Sequence, residues 1–186
     1  MDTPTEPALS GAVFLRNVEV FRDVVGLEPV ERAFASLPLT HRRELEAAVP
    51  AAWIGVTAID ALYTAIAQEA GEDLQTLYPD IVRVGISRTL RSVWRALLRL
   101  TTDRALLRRT PLIYAKGHSV GKIEATIEGR GRGMVVLTGW PNMPALRRLG
   151  VAAGIRATME VAGRADVVVD YVDTADGAEY RVRWRP

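Results

Sequence analysis

A chain of 186 residues with 48% apolar and 25% charged side chains is long enough for one well-buried core and short for two. It contains no cysteine, which excludes disulfides, thiolate nucleophiles and thiolate metal sites, and it has no run of about 18 uncharged apolar residues to span a bilayer. The net charge of +2 exerts no strong non-specific pull on nucleic acid, and all but two of the 24 basic residues are Arg, a bias that dilutes arguments from any one of them.

Residues 1–8 are polar and Pro-containing, with no basic stretch leading into an apolar one. They are expected as a loose tail, with 9–186 as a single domain located in the cytoplasm. Leu9 to Val25 predicts a helix stopped by Gly26, and Pro29 opens a second short helix that ends before Pro38. Thr40 is expected to cap a helix over His41 to Ala48, with Glu44 near the reciprocal capping position. From Trp53 to Ala70, the residues Val56, Ile59, Leu62, Tyr63 and Ile66 recur at helical spacing until Gly71. A long amphipathic helix is predicted from about Asp80 to Thr101, and another turn or two before Pro111.

The pattern then changes period. Lys122 to Glu128 alternates as a half-buried strand, and the glycines at 129, 131 and 133 permit a reversal into an apolar strand at Met134 to Leu137. Asp166 to Val172 and Ala178 to Trp184 form a second hairpin across Asp173 to Gly177. Between the hairpins, Pro144 to Val161 predicts a helix in which Gly150, Ala153, Gly154 and Ala157 share one face, suited to close packing on the sheet or on a partner. The fold class is therefore α+β, an N-terminal helical layer on a C-terminal four-stranded antiparallel sheet in ββαββ order.

No catalytic centre is legible. Gly117 to Lys122 looks like a truncated phosphate loop but has three residues between its glycines, lacks Ser or Thr after the lysine, and leads into a strand. His41 and His118 have no carboxylate or second His at metal-ligand spacing, so no metal and no cofactor is expected. Trp140 in the strand-to-helix loop, with Trp94 and Tyr63 on helix faces, is a candidate lining for an apolar small-molecule cavity. The line Arg88, Arg91, Arg95, Arg99 is a candidate surface for a protein partner or an anion, and its bland reading is a solvated helix face.

The turn Gly26-Leu27-Glu28-Pro29, the stop Leu37-Pro38, Trp53-Ile54, Gly150, Ala162-Gly163, the strand from Asp166 and the ending Tyr180-Arg181-Val182-Arg183-Trp184 together resemble a myxobacterial paralogous family of uncharacterised proteins of about this length. In layout that family is similar to the superfamily of 4-vinyl-reductase-type domains, haem-nitric-oxide-binding domains and TRAPP subunits. The resemblance implies helices against an antiparallel sheet, dimerisation through helices, and an interior cavity for a small molecule. The gas-sensing members need a proximal His and a Tyr-x-Ser-x-Arg motif, and this chain has neither His in a matching context nor the motif.

Two readings of function follow. One is a non-enzymatic binding or sensory module, a homodimer or part of a regulatory assembly, with a ligand-free interaction scaffold as its close variant. The other is an enzyme whose polar residues meet only in three dimensions, around Asp60, His118 or Tyr114.

Overall fold

The computed structural model describes residues 4, 6–90 and 102–185. The chain divides into two compact units, one of residues 1–81 with 116–119 and the other of residues 82–115 with 120–186.

In the first unit, strand β1 (Ala8–Ser10) pairs antiparallel with β2 (Trp53–Gly55), placing Leu9 opposite Ile54. Two sequence expectations are corrected by this small sheet: Ala8 is no tail residue, and Leu9 and Trp53 lie in strands rather than at the starts of helices. The cause is tertiary. Three-residue strands are too short to show a period of two, and both hand over at once to helices α1 (Gly11–Val25) and α4 (Val56–Ala70). Ser10 caps α1 through its hydroxyl, which accepts from the Val13 amide, while the Gly11 and Ala12 amides donate to the carbonyls of Ala52 and Pro50. Gly26 ends α1 in a positive-φ conformation and opens α2 (Leu27–Ser36).

Helix α3 (Leu39–Glu46) starts before Thr40, the residue expected to cap it. Pro38 takes the cap place, and the Glu44 carboxylate is diverted to the Gly55 amide at 2.7 Å, so a side chain suited to a capping box holds β2 instead. The α4 helix closes on Gly71 at φ 69°. Helix α5 (Leu74–Thr89) begins well before Asp80 because the Asp73 carboxylate caps it through Thr76, with Pro79 accommodated inside. The interior of this unit is apolar and closed, with Val20, Phe21, Val30, Ala33, Ile59, Leu62, Tyr63, Ile66 and Ile81 all inaccessible to solvent.

Helix α6 (Asp103–Gly117), whose residues 103–115 belong to the second unit, runs through Pro111, where the sequence predicts its end. Strands β3 (Lys122–Gly129), β4 (Arg132–Thr138), β5 (Ala165–Thr174) and β6 (Gly177–Arg185) form one antiparallel sheet in the order β3-β4-β6-β5. This is the ββαββ platform expected, with helix α7 (Ala145–Val161) packed on β5 and β6. Register pairs Val135 with Tyr180 and Leu137 with Ala178, so Ala178, Tyr180, Val182 and Trp184 share the buried face, while Arg181 and Arg183 stand on the other.

The small-residue face of α7 has a partner besides the sheet. A Cβ on Gly154 would meet the Ile86 Cδ1 at 3.5 Å, ordinary van der Waals contact. Since helix-interior Gly costs about 1 kcal/mol relative to Ala, Gly154→Ala is expected to raise stability by about that amount, seen as a higher thermal midpoint by circular dichroism. A fall in the midpoint would show that α5 and α7 approach more closely than this geometry has them.

Candidate functional site

Aromatic and ionisable residues concentrate in each unit separately. In the first, Tyr63 on α4 lies between Phe21 of α1 and Tyr78 of α5, with ring centroids 4.9 and 5.4 Å away and tilted planes. Tyr63 is thus part of a three-ring stack in the core, and its fully buried position follows from the i, i+3, i+4 apolar stripe of α4. Asp60 stands one turn earlier on the same helix, half-buried. His118 and Ser119 belong to this unit through β1: His118 bridges Leu9, the Ser119 amide donates to the Ala8 carbonyl at 3.0 Å, and the Ala8 amide donates to the Ser119 hydroxyl at 2.9 Å. The Ser119 oxygen is therefore committed to the backbone, and the segment around His118 and Ser119 serves as a strand-edge clasp.

In the second unit, Trp140 sits in the β4–α7 loop, buried with Met143. The tip of the β5–β6 hairpin fixes that loop: the Asp176 carboxylate accepts from the Gly139 amide at 2.9 Å, and the Asp176 carbonyl accepts from the Trp140 amide at 3.0 Å. Gly139 at φ 75° makes the turn possible. Beyond it, the Arg148 guanidinium reaches the Asp173 carboxylate at 2.7 Å and also donates to the Met143 carbonyl. Next to this pair lie two buried phenols. Tyr114 donates to the Val120 carbonyl at 2.9 Å, and Tyr180 packs on Tyr171 with centroids 5.7 Å apart.

Burial raises the pKa of both phenols, Tyr114 and Tyr180, above the ordinary tyrosine value. For Tyr180 the phenols of Tyr114 and Tyr171 add to the rise, and Arg148 opposes it. In the unfolded chain these protons leave near pH 10, whereas the folded protein keeps them, so above about that pH the unfolded state binds fewer protons and stability falls as pH rises. Denaturant midpoints are expected to hold to about pH 9 and to drop above about pH 10, with tyrosinate absorbance appearing as the protein unfolds. Tyr180→Phe should lessen the drop.

The other sequence candidates divide between the two units or lie outside the described residues. Arg88 is at the end of α5, whereas Trp94, Arg91, Arg95 and Arg99 lie outside the described residues. Asp60 and His118 belong to the first unit and Tyr114 to the second, and the Tyr114 hydroxyl is engaged by backbone. Among the described residues, no group of three His, Cys, Asp or Glu side chains could hold a metal ion, and no helix is long and apolar enough to cross a membrane. Sequence reasoning missed the inward Arg147, only 2% exposed, and the Arg148–Asp173 pair. Two adjacent arginines between Leu146 and Leu149 read as a solvated stretch of helix by their charge, and only the sheet register brings Asp173 near α7.

No family model matches the chain, and no curated protein does. Solved structures do. A Cs H-NOX mutant carrying 4-cyano-L-phenylalanine is 11% identical and superposes with a TM-score of 0.73 over 95% of this chain and 97% of its own. The chain adopts the H-NOX fold. A point mutant of T. tengcongensis H-NOX is 13% identical, with a TM-score of 0.71 over 95% of this chain and 98% of that one. A further neighbour, at 11% identity and a TM-score of 0.69 over 95% and 99% of the two chains, concerns haem redox potential modulated through porphyrin distortion.

Haem iron requires an axial His, Cys, Met or Tyr presented to an apolar slot. The chain has no Cys, and residues 82–115 and 120–186 contain no His. His118 is held in the β1 clasp, and His41 stands half-buried in the first turn of α3, on a unit whose interior is filled by the Tyr63 stack and its aliphatic neighbours. Tyr114 is committed to the Val120 carbonyl, while Tyr180, Met143 and Met159 are core residues. These residues do not fit a haem.

Proposed function

We propose that this chain is a non-enzymatic sensory or regulatory module that binds an apolar small molecule without haem and self-associates. One observation carries the reading: the match to H-NOX structures covers 95% of this chain and 97% of the neighbour, so the likeness takes in a whole domain of a sensor fold rather than a fragment. The polar groups most suggestive of chemistry support a non-enzymatic role, because Ser119 and Tyr114 are both used by the backbone. Ligand contact is assigned to the candidates Trp140, Trp94 and Tyr63, with Trp140 in its loop the one to test first, and the Arg88, Arg91, Arg95, Arg99 line is assigned to an anionic or protein partner.

Native mass spectrometry of freshly purified protein tests the reading. A retained organic adduct, weakened in Trp140→Leu while circular dichroism stays unchanged, is the expected result. A bare polypeptide mass under the gentlest conditions, combined with no thermal shift on adding apolar extracts, would overturn ligand binding and leave a ligand-free scaffold.

A further inference from the structure

We propose that strand β5 pairs edge to edge with β5 of a second copy of this chain, antiparallel about a two-fold axis at Tyr171. The inference rests on the self-association in the proposed function and names its surface, which lies wholly within the second unit.

Strand β5 is an outer strand of the platform, bonded to β6 on one side and, among the described residues, to no strand on the other. Side chains alternate along a strand, so one that is covered on a single face shelters every second residue. β5 does so only near its start, where Val167 is buried, whereas every residue from Asp170 to Thr174 is exposed. Val168, Tyr171 and Val172 are 44%, 37% and 49% exposed, with Val168 and Val172 on the outer face of the sheet and Tyr171 beside Tyr180 on the inner. Large apolar side chains are thus open on both faces of an edge that no strand covers.

Edge strands are ordinarily defended by charge, proline or bulges. β5 has no proline, its bulge is confined to 165–168, and the run from Val168 to Thr174 is regular against β6. Its three aspartates are each answered within the same copy: Asp166 by Arg185 at 3.3 Å, Asp170 by Arg183 at 2.7 Å and Asp173 by Arg148 at 2.7 Å. Their charge is offset inside the platform, and the regular run faces outward as a Val- and Tyr-containing strand suited to pairing.

The order of side chains selects the occupant. Turned antiparallel onto itself about Tyr171, the run sets Tyr171 beside Tyr171, Asp170 beside Val172, Val169 beside Asp173 and Val168 beside Thr174. No carboxylate opposes a carboxylate, and the residue on the axis is the middle of the regular run. Only an axis through a residue brings like faces of the two strands together, which leaves few alternatives. Moving it to Asp170 would oppose two aspartates and draw the bulge into the ladder, and moving it to Val172 would carry the pairing into the 175–176 turn. A two-fold axis closes the contact at two copies, joining two four-stranded platforms into one continuous sheet.

The chain has no cysteine, so single introduced cysteines report the register. Tyr171→Cys puts two thiols at the axis, within reach of a disulfide, whereas Val168→Cys leaves them about 20 Å apart. The expected result is a wild-type dimer by sedimentation of the whole chain, a disulfide-linked dimer from Tyr171→Cys under mild oxidation, and none from Val168→Cys. Mixing Val168→Cys with Thr174→Cys tests the same register without touching Tyr171, and a mixed disulfide is expected from the mixture alone. Tyr171→Glu, with native circular dichroism, should weaken association by at least about 10-fold, because it sets like charges together at the axis. A dimer that crosslinks at Val168→Cys as readily as at Tyr171→Cys, that crosslinks at neither while the mixture also fails, or that is indifferent to Tyr171→Glu would overturn this interface and leave self-association standing. A wild-type monomer at every concentration reached would overturn both. Retained ligand is read separately by native mass: an adduct on a monomer defeats the pairing and spares the ligand, and a register-specific disulfide without any adduct defeats only the ligand.

Discussion

Replacing Gly177 by Ala is expected to destabilise the protein by about 4 kcal/mol or more, a class of effect reserved for mutations that break backbone geometry or cores. A Cβ built there would lie 2.2 Å from the Leu137 carbonyl oxygen and 2.9 Å from its carbon. Those atoms are backbone of the neighbouring strand and cannot rotate aside as a side chain would. Leu137 pairs with Ala178, so relieving the overlap means opening the β4–β6 ladder at its terminal register pair. Gly177 also sits at φ +155°, which side chains rarely adopt. The damage should spread to the candidate ligand loop, because the Asp176 contacts that hold Gly139 and Trp140 lie on the preceding residue. Urea denaturation followed by far-UV circular dichroism gives the stability change, and near-UV circular dichroism reports the Trp140 environment. A midpoint within experimental error of wild type would show that the hairpin does not have this register. The contrast with Gly154→Ala is informative, since the same substitution has opposite signs where the neighbour is backbone and where it is the tip of a side chain at ordinary contact distance.

The sheet was legible because its signals were local and repeated. Tyr180, Val182 and Trp184 alternate with Glu179, Arg181 and Arg183, and a sustained period of two forces one face inward whatever covers it. Helix ends at Gly26 and Gly71 were legible for a similar reason, as positive φ is chemistry that glycine supplies on its own. What escaped was long-range. Nothing in Ala8-Leu9-Ser10 or Trp53-Ile54-Gly55 announces a strand until the two meet, and Glu44 reads as a capping residue until the Gly55 amide is within reach. The same limit applies to the candidate site. Trp140 could be singled out from its loop, but the Asp176 tip that fixes it is far downstream, across an entire helix and strand. Tyr63 was identifiable as a helix-face aromatic, while its place between Phe21 and Tyr78 depends on three helices at once.

Haem added during expression or titrated into the purified chain is expected to give no stoichiometric Soret band, although the fold is that of H-NOX domains. The reason is that a fold supplies walls and a cofactor needs ligands. Residues 82–115 and 120–186, which make up the second unit, offer no His and no Cys to an iron. Of the two His elsewhere, one is part of the strand-edge clasp with Leu9 and the other lies in the first turn of the short helix α3. Any weak absorbance from haem adsorbed on apolar surface should survive both His41→Ala and His118→Ala, because adsorption needs no axial nitrogen. A one-to-one Soret band abolished by either substitution would overturn this expectation, and with it the haem-free part of the proposed function. A titration that saturates without a Soret shift characteristic of axial ligation would instead mark a slot that takes planar apolar molecules, which is the ligand chemistry that Trp140 is proposed to meet.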